Sequence, residues 1–144
     1  MRAWLRSGMP DFQLIRTSLL EVHRQLLQAE RVTFESQHGR VSASQFFTAL
    51  TNDPAYSWLA PLNAAIVRFD ELLDAQTKAG QASSTELSEH LALLRELLEL
   101  RPRDDDFGKH YTDLVHNNPD VAFAHAALAH VLAAPAPAPA PQQR

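Results

Sequence analysis

The stretch of residues 52–79 constrains the fold of this chain more than any other. Its apolar residues recur at steps of three and four, which places them on one face of an α-helix rather than on one side of a strand. Asp53 can cap the free N–H groups of a first helical turn, and Pro54 fits the first helical position, where its missing N–H removes no bond. We therefore predict a helix over 54–78. Its repeating apolar residues are Tyr56, Leu59, Leu62, Ile66, Phe69 and Leu73.

Helical spacing continues through most of the chain, with start and stop signals at the segment ends. Gly39 follows the first long segment, where a left-handed backbone commonly ends a helix, and Ser44 stands where it can cap the second. Pro61 predicts a kink in the central helix, or its division into segments 54–60 and 61–78. The other predicted helices span residues 10–37, 44–51, 84–100, 105–117 and 119–133.

These segments predict an all-α fold class, with one domain over residues 1–132. The first helix carries two adjacent apolar stripes, which is typical of a helix in a bundle. Alternating alanine and proline prevent regular pairing of the backbone, so we expect residues 133–144 to form a disordered, extended tail. The predicted architecture is a small bundle with two short helices, 44–51 and 105–117, and four main helices, 10–37, 54–78, 84–100 and 119–133.

The composition argues against several classes of function. The chain has no cysteine, which excludes disulfides, thiolate zinc sites and a cysteine nucleophile. With four glycines it contains no phosphate-binding loop, and the Gly-x-Ser-x-Gly motif of hydrolases is absent. Its formal net charge is −4 and its Lys and Arg residues form no run, so we expect no nucleic-acid partner. We therefore predict that the protein is not an enzyme.

The same composition argues against a membrane-embedded chain. No apolar run approaches the roughly 20 residues that span a bilayer. The first residues, MRAWLRSGMP, lack the apolar region of a secretory signal. We therefore expect no membrane span and a cytoplasmic location. Met9 is a second candidate for the start of translation, beside Met1.

Seven histidines raise the hypothesis of a metal or cofactor site, because helical bundles can place histidines and carboxylates inward on facing helices. The motif His-Glu-x-x-His is absent, and a partly buried histidine bound to one neighbour is the commoner arrangement. The hypothesis requires at least three of these residues to converge on one site. The candidate ligands are His23, His90 and His125 with Asp70 or Glu30.

Aromatic residues around the second and third helices suggest a different hypothesis, an exposed surface for a partner protein. Trp58 lies about 100° from Leu59 on a helix, so we expect it to flank the core. The alternative is that these residues fill one end of the core. The predicted partner surface consists of Phe46, Phe47, Tyr56 and Trp58.

Two function classes remain open. The first is a non-enzymatic interaction or assembly protein without a cofactor, whose partner is another protein or a second copy in a homodimer. The second is a metal- or cofactor-binding bundle. The first class predicts an apolar surface patch left over after the core is filled. The second predicts convergence of the histidines and carboxylates.

Overall fold

A computed structural model of the chain describes residues 11–79 and 84–133. No strand occurs in these two ranges, and the predicted all-α class is confirmed. The predicted tail lies outside the described residues except for Ala133. The helices are α1 (Phe12–His38), α2 (Ala43–Asn52), a 3-10 helix (Pro54–Leu59), α3 (Ala60–Ala79), α4 (Ser84–Leu97), α5 (Asp106–Asn117) and α6 (Pro119–Ala133).

Short polar side chains set the helix starts. Ser42 caps α2, and the prediction of Ser44 was wrong. The reason is a reciprocal pair: the Ser42 hydroxyl accepts from the Gln45 N–H at 3.1 Å, and the Gln45 side chain accepts from the Ser42 N–H at 2.8 Å. This capping box satisfies two free donors at once. Gly39 ends α1 with φ 84° and ψ 175°, a conformation essentially restricted to glycine.

The central stretch is divided into two helices, which was one of the two predicted alternatives; the other was a single kinked helix. Asp53 accepts from the Ala55 N–H at 2.9 Å and caps a 3-10 helix that begins at Pro54. The α-helical hydrogen-bond pattern starts at Ala60, so Pro61 lies in the first turn of α3. A proline there interrupts no hydrogen bond, because the first N–H groups of a helix have no intrahelical acceptor.

Helix α4 ends at Leu97, three residues before its predicted end. Arg103 accounts for the difference: its guanidinium donates to the carbonyls of Leu97 at 2.7 Å and Glu99 at 3.2 Å. The same guanidinium forms two bonds, at 2.9 and 2.8 Å, with the carboxylate of Asp105, which caps α5. Arg103 first, then the N–H of Gly108, lowers the pKa of Asp105 to about 2. One side chain thus joins the end of α4 to the start of α5.

All of these helical segments contribute to one apolar core. Helix α6 packs against α1, α5 and α4, while α3 packs against α1 and α4, and α5 also covers the 3-10 helix. The last helix therefore contacts three others. The largest fully buried side chains are Tyr111, Phe69, Phe107, Ile15, Leu19, Leu26, Leu62, Leu87, Leu94 and Leu128.

We predict that Gly108→Ala destabilises the protein, although alanine favours a helix over glycine by up to about 1 kcal/mol. A Cβ at Gly108 would press against the guanidinium of Arg103 and the carboxylate of Asp105, and hydrogen bonds hold both groups in place. Overpacking of this kind costs about 1–3 kcal/mol. Urea unfolding should show a lower free energy of unfolding for this variant.

The control is the same substitution in an Arg103→Ala background. Arg103→Ala alone should cost about 1–3 kcal/mol, because it removes hydrogen bonds from a charged donor. In that background Gly108→Ala should become neutral or stabilising. Equal effects of Gly108→Ala in both backgrounds would contradict the proposed steric cause.

Candidate interaction surface

Two of the predicted metal ligands, His23 and His90, form hydrogen bonds to α3. Nε2 of His23 donates to the Asn63 side-chain oxygen at 2.9 Å. His90 is buried, and its Nε2 donates to the Ala65 carbonyl at 2.9 Å. Its ring also stacks on Phe69, with 5.9 Å between the centroids. Each imidazole thus links α3 to a neighbouring helix.

His125 and Asp70 likewise have partners of their own. Burial lowers the pKa of His125, which favours the neutral ring, and the Tyr111 hydroxyl donates to its Nδ1 at 2.7 Å. Burial also raises the pKa of Tyr111, so the phenol keeps the proton that it donates. Asp70 accepts from Nε of Arg16 at 2.7 Å. These contacts connect α6 with α5 and α3 with α1.

Glu30 lies in a third environment, beside Trp58 and His110. Burial raises the pKa of Glu30, while the charge of His110 and the indole N–H of Trp58 act in the opposite direction. The His110 ring stacks on Trp58 with 4.8 Å between the centroids. Nε1 of Trp58 is buried and has no partner at hydrogen-bond distance among the described residues. The indole is nevertheless close enough to lower the pKa of the Glu30 carboxyl.

The structure does not bring the predicted ligands together. Within residues 11–79 and 84–133, no group of three or more His, Asp or Glu residues could hold a metal ion. Four of the five side chains have hydrogen-bond partners of their own, and Glu30 lies apart from them, beside Trp58 and His110. The five residues concerned are His23, Glu30, Asp70, His90 and His125.

Three of the four residues of the predicted aromatic surface belong to the core. Phe46, Tyr56 and Trp58 are buried, and Trp58 is only 4% exposed. The expectation that Trp58 flanks the core was wrong, because α5 packs on the 3-10 helix and places Phe107 against the indole, with centroids 5.7 Å apart. Only Phe47 is exposed, at 65%.

A different apolar surface is exposed, on the side of α6 that points away from the core. We call Phe123, Ala126, Ala127 and His130 the outer face of α6. All four are exposed, and Phe123, at 80%, is the most exposed large apolar residue that the structure describes. The buried residues of the same helix lie opposite: Val121, Ala124, Leu128 and Leu132.

The outer face differs from the surroundings of Phe47 in its chemistry. One turn before Phe47 on α2 are Ala43 and Ser44, and one turn after it are Leu50 and Thr51. Asp120 lies one turn before Phe123 and Ala126 and Ala127 one turn after it, and residues 121–133 include no Lys, Arg, Asp or Glu. A helix on the surface of a protein normally carries polar residues on its solvent side. Helix α6 is instead apolar on its inner side and, apart from His130, on its outer face.

A groove between α4 and α6 adjoins the outer face. Its volume is about 570 Å³. Ala129 and Ala133 line it and are themselves exposed, so apolar surface continues from the groove to the outer face. The other apolar residues in its lining are Ala92, Leu98, Leu100, Leu128 and Leu132. Its polar lining residues are Arg95, Glu96, Glu99 and His125.

None of the described helices is long and apolar enough to cross a membrane. Comparison of the chain with protein-family models, with curated proteins and with solved structures finds no match. Inference about function therefore depends on the surface and interior of this chain alone.

Sequence reasoning missed Phe123, although the sequence carries its signal. In the last predicted helix, the apolar residues that recur at steps of three and four were assigned to the inner side. Phe123 does not belong to that repeat. A helix without any Lys, Arg, Asp or Glu from 121 to 133 has no charged side to turn to solvent. This absence, rather than the periodicity, distinguishes the outer face.

We predict that His125→Gln makes stability less dependent on pH. Because burial lowers the pKa of His125 in the folded state, the unfolded chain takes up this proton at higher pH than the folded protein. Stability is therefore full above the ordinary value of 6.5 and falls as the pH drops through it. Glutamine does not titrate. The pH dependence of stability, measured by thermal unfolding between about pH 7 and 5, should therefore decrease by an amount that corresponds to at most one bound proton.

The matched control is Ala64→Gln, which introduces the same side chain at an exposed position on α3 and changes no titratable group. This variant should keep the wild-type dependence of stability on pH. If His125→Gln also kept it, burial of His125 would not be the source of the pH dependence.

Proposed function

We propose that this chain is a non-enzymatic protein–protein interaction or assembly protein, and that the outer face of α6 is its contact surface. The observation that carries the proposal is the exposure of Phe123 among alanines on a helix with no charged residue after Asp120. An apolar patch that remains after the core is filled is what the interaction class requires.

The energetics support a contact at this face. Covering a phenylalanine side chain is worth about 1.5–3 kcal/mol, and exposed aromatic residues are frequent anchors of interfaces. Alanines beside Phe123 cost little side-chain entropy when a partner orders them, and they allow close approach of another helix. The alanines and leucines of the groove between α4 and α6 extend the apolar area, and Arg95, Glu96 and Glu99 supply charged groups in the same groove.

The helical bundle that we propose for the whole chain serves as a scaffold for this face. Three helices, α1, α4 and α5, hold α6 from its inner side. The inward hydrogen bond of His125 to Tyr111 fixes the rotation of α6 relative to α5. A helix held in this way presents Phe123 without further ordering, which lowers the entropic cost of binding.

The test uses a photo-crosslinking phenylalanine analogue at position 123 of the full chain, expressed in its native cells. We expect a discrete adduct of higher mass. Phe47 provides the matched control, because it is also an exposed phenylalanine but lies on α2 among hydroxyl residues. The same analogue at position 47 should give no comparable adduct.

Two further variants test whether the adduct depends on the outer face. Ala127→Glu places a charge on the face and should abolish the adduct, while Ala64→Glu, on an exposed position of α3, should preserve it. The proposal fails if no adduct forms at position 123, or if the adduct forms equally at position 47.

A further inference from the structure

The groove between α4 and α6 has the size and chemistry of a small-molecule site, and the inference drawn from it does not depend on the proposed interaction function. Its volume of about 570 Å³ lies within the range of about 300–1,000 Å³ that is typical of ligand pockets. Such pockets have apolar walls and a few polar groups that fix the orientation of the ligand. Here the walls include Leu98 and Leu100, which follow α4, and Leu128 and Leu132 on α6.

One polar group of the groove is the Nε2–H of His125. Tyr111 is fully buried, and the acceptor for its hydroxyl proton among the described residues is Nδ1 of His125, at 2.7 Å. The neutral ring of His125 therefore carries its own proton on Nε2. Among the described residues this Nε2–H has no hydrogen-bond partner, and it retains access to solvent at the wall of the groove.

The second polar group is the guanidinium of Arg95. Its Nε donates to the Leu132 carbonyl at 3.1 Å, which holds the side chain at the C-terminal end of α6. Within residues 11–79 and 84–133, no carboxylate lies within ion-pair distance of Arg95. Its two terminal nitrogens can therefore donate to an added carboxylate, whose planar geometry matches that of a guanidinium.

The two acids of the groove, Glu99 and Glu96, act on a different cation. Glu99 first, and then Glu96, raises the pKa of Arg101, and Glu99 accepts from Nε of Arg101 at 2.8 Å. Glu96 also lines the adjacent groove between α4 and residues 101–105, so it lies on the rim that separates the two grooves. Arg95 thus remains as the cation of the groove that can bind an anionic ligand.

The spacing of the two polar groups defines the ligand. His125 and Leu132, whose carbonyl binds Arg95, are seven residues apart on α6, which is about 10 Å along the helix. Leu128 and Ala129 line the groove between them. We propose that the groove binds an extended aliphatic carboxylate with an oxygen atom at its far end. The carboxylate binds Arg95, the aliphatic chain lies along Leu128 and Ala129, and the far oxygen accepts from Nε2 of His125.

The far oxygen belongs to a hydroxyl or carbonyl group rather than to a second carboxylate. Burial lowers the pKa of His125, so the ring is neutral and offers a donor without a positive charge. A second carboxylate at this end would be partly buried without a cation, which is unfavourable.

The test is isothermal titration calorimetry of the full chain with 10-hydroxydecanoate at neutral pH. Two related probes separate the contributions of the ends, because decanoate lacks the far oxygen and 1,10-decanediol lacks the carboxylate. Decanoate should bind about 2- to 10-fold more weakly, which is the contribution of one neutral hydrogen bond. The diol should bind about 10- to 100-fold more weakly, because it loses the charge-assisted pair with Arg95.

Arg95→Gln should weaken the binding of 10-hydroxydecanoate by about 10- to 100-fold and leave the binding of the diol unchanged. Arg40→Gln, which removes an exposed cation between α1 and α2, is the control and should change neither.

A second pair of variants tests the location of the site. Ala129→Phe fills the groove and should abolish binding, whereas Ala127→Phe places the same side chain on the outer face of α6 and should preserve it. Both positions are exposed, so neither substitution disturbs the core. Circular dichroism establishes that each variant is folded, and the phenylalanine pair decides the outcome if Arg95→Gln is not.

Four results would overturn the inference. They are no binding of 10-hydroxydecanoate to the unmodified chain at millimolar concentration, equal affinity of the hydroxy acid and the diol, equal affinity of Arg95→Gln and the unmodified chain, and equal affinity of the two phenylalanine variants. The crosslinking experiment at position 123 tests the interaction function separately, so either proposal can fail without the other.

Discussion

The packing of α6 against α1, α5 and α4 is the constraint on which the rest of the fold depends. Four apolar side chains of α6 are buried, and three of them, Val121, Leu128 and Leu132, each favour the folded state by about 1.5–3 kcal/mol. The helix must be apolar on its inner side to contact three neighbours. Its outer face, apart from His130, is apolar without such a reason, since no described helix covers it. The inner side of α6 therefore stabilises the fold, and the opposite side is the proposed contact surface.

The polar groups near the core act as connectors between helices. His90 binds a carbonyl of α3, Tyr111 binds His125 on α6, and Arg103 binds the end of α4 and the start of α5. An interior polar group without a partner costs free energy, so each of these contacts favours one relative placement of two helices. Three of the seven histidines, His23, His90 and His125, thus form hydrogen bonds between helices at separate places in the fold.

Features that depend on neighbouring residues in the chain were predictable. The all-α class, the bounds of α6 and the division before Pro61 follow from periodicity and proline stereochemistry. Features that depend on residues distant in sequence were not. Trp58 is buried because α5 covers it, and the predicted ligand His90 instead forms a hydrogen bond to a carbonyl of α3. Neither contact has a signal in the sequence. The cap at Ser42 is intermediate, because the pattern Ser-x-x-Gln was present but a nearer serine competed with it.

The pairing of α1 with α6 also has a consequence for the order of folding. Helix α1 ends at His38 and α6 begins at Pro119, so a long loop must close before these two helices meet. On the ribosome, α1 emerges well before the helix that covers its apolar stripe. Until then that stripe is available to incorrect partners, and contacts of high sequence separation form slowly. The hydrophobic core is thus complete only after α6 has been synthesised.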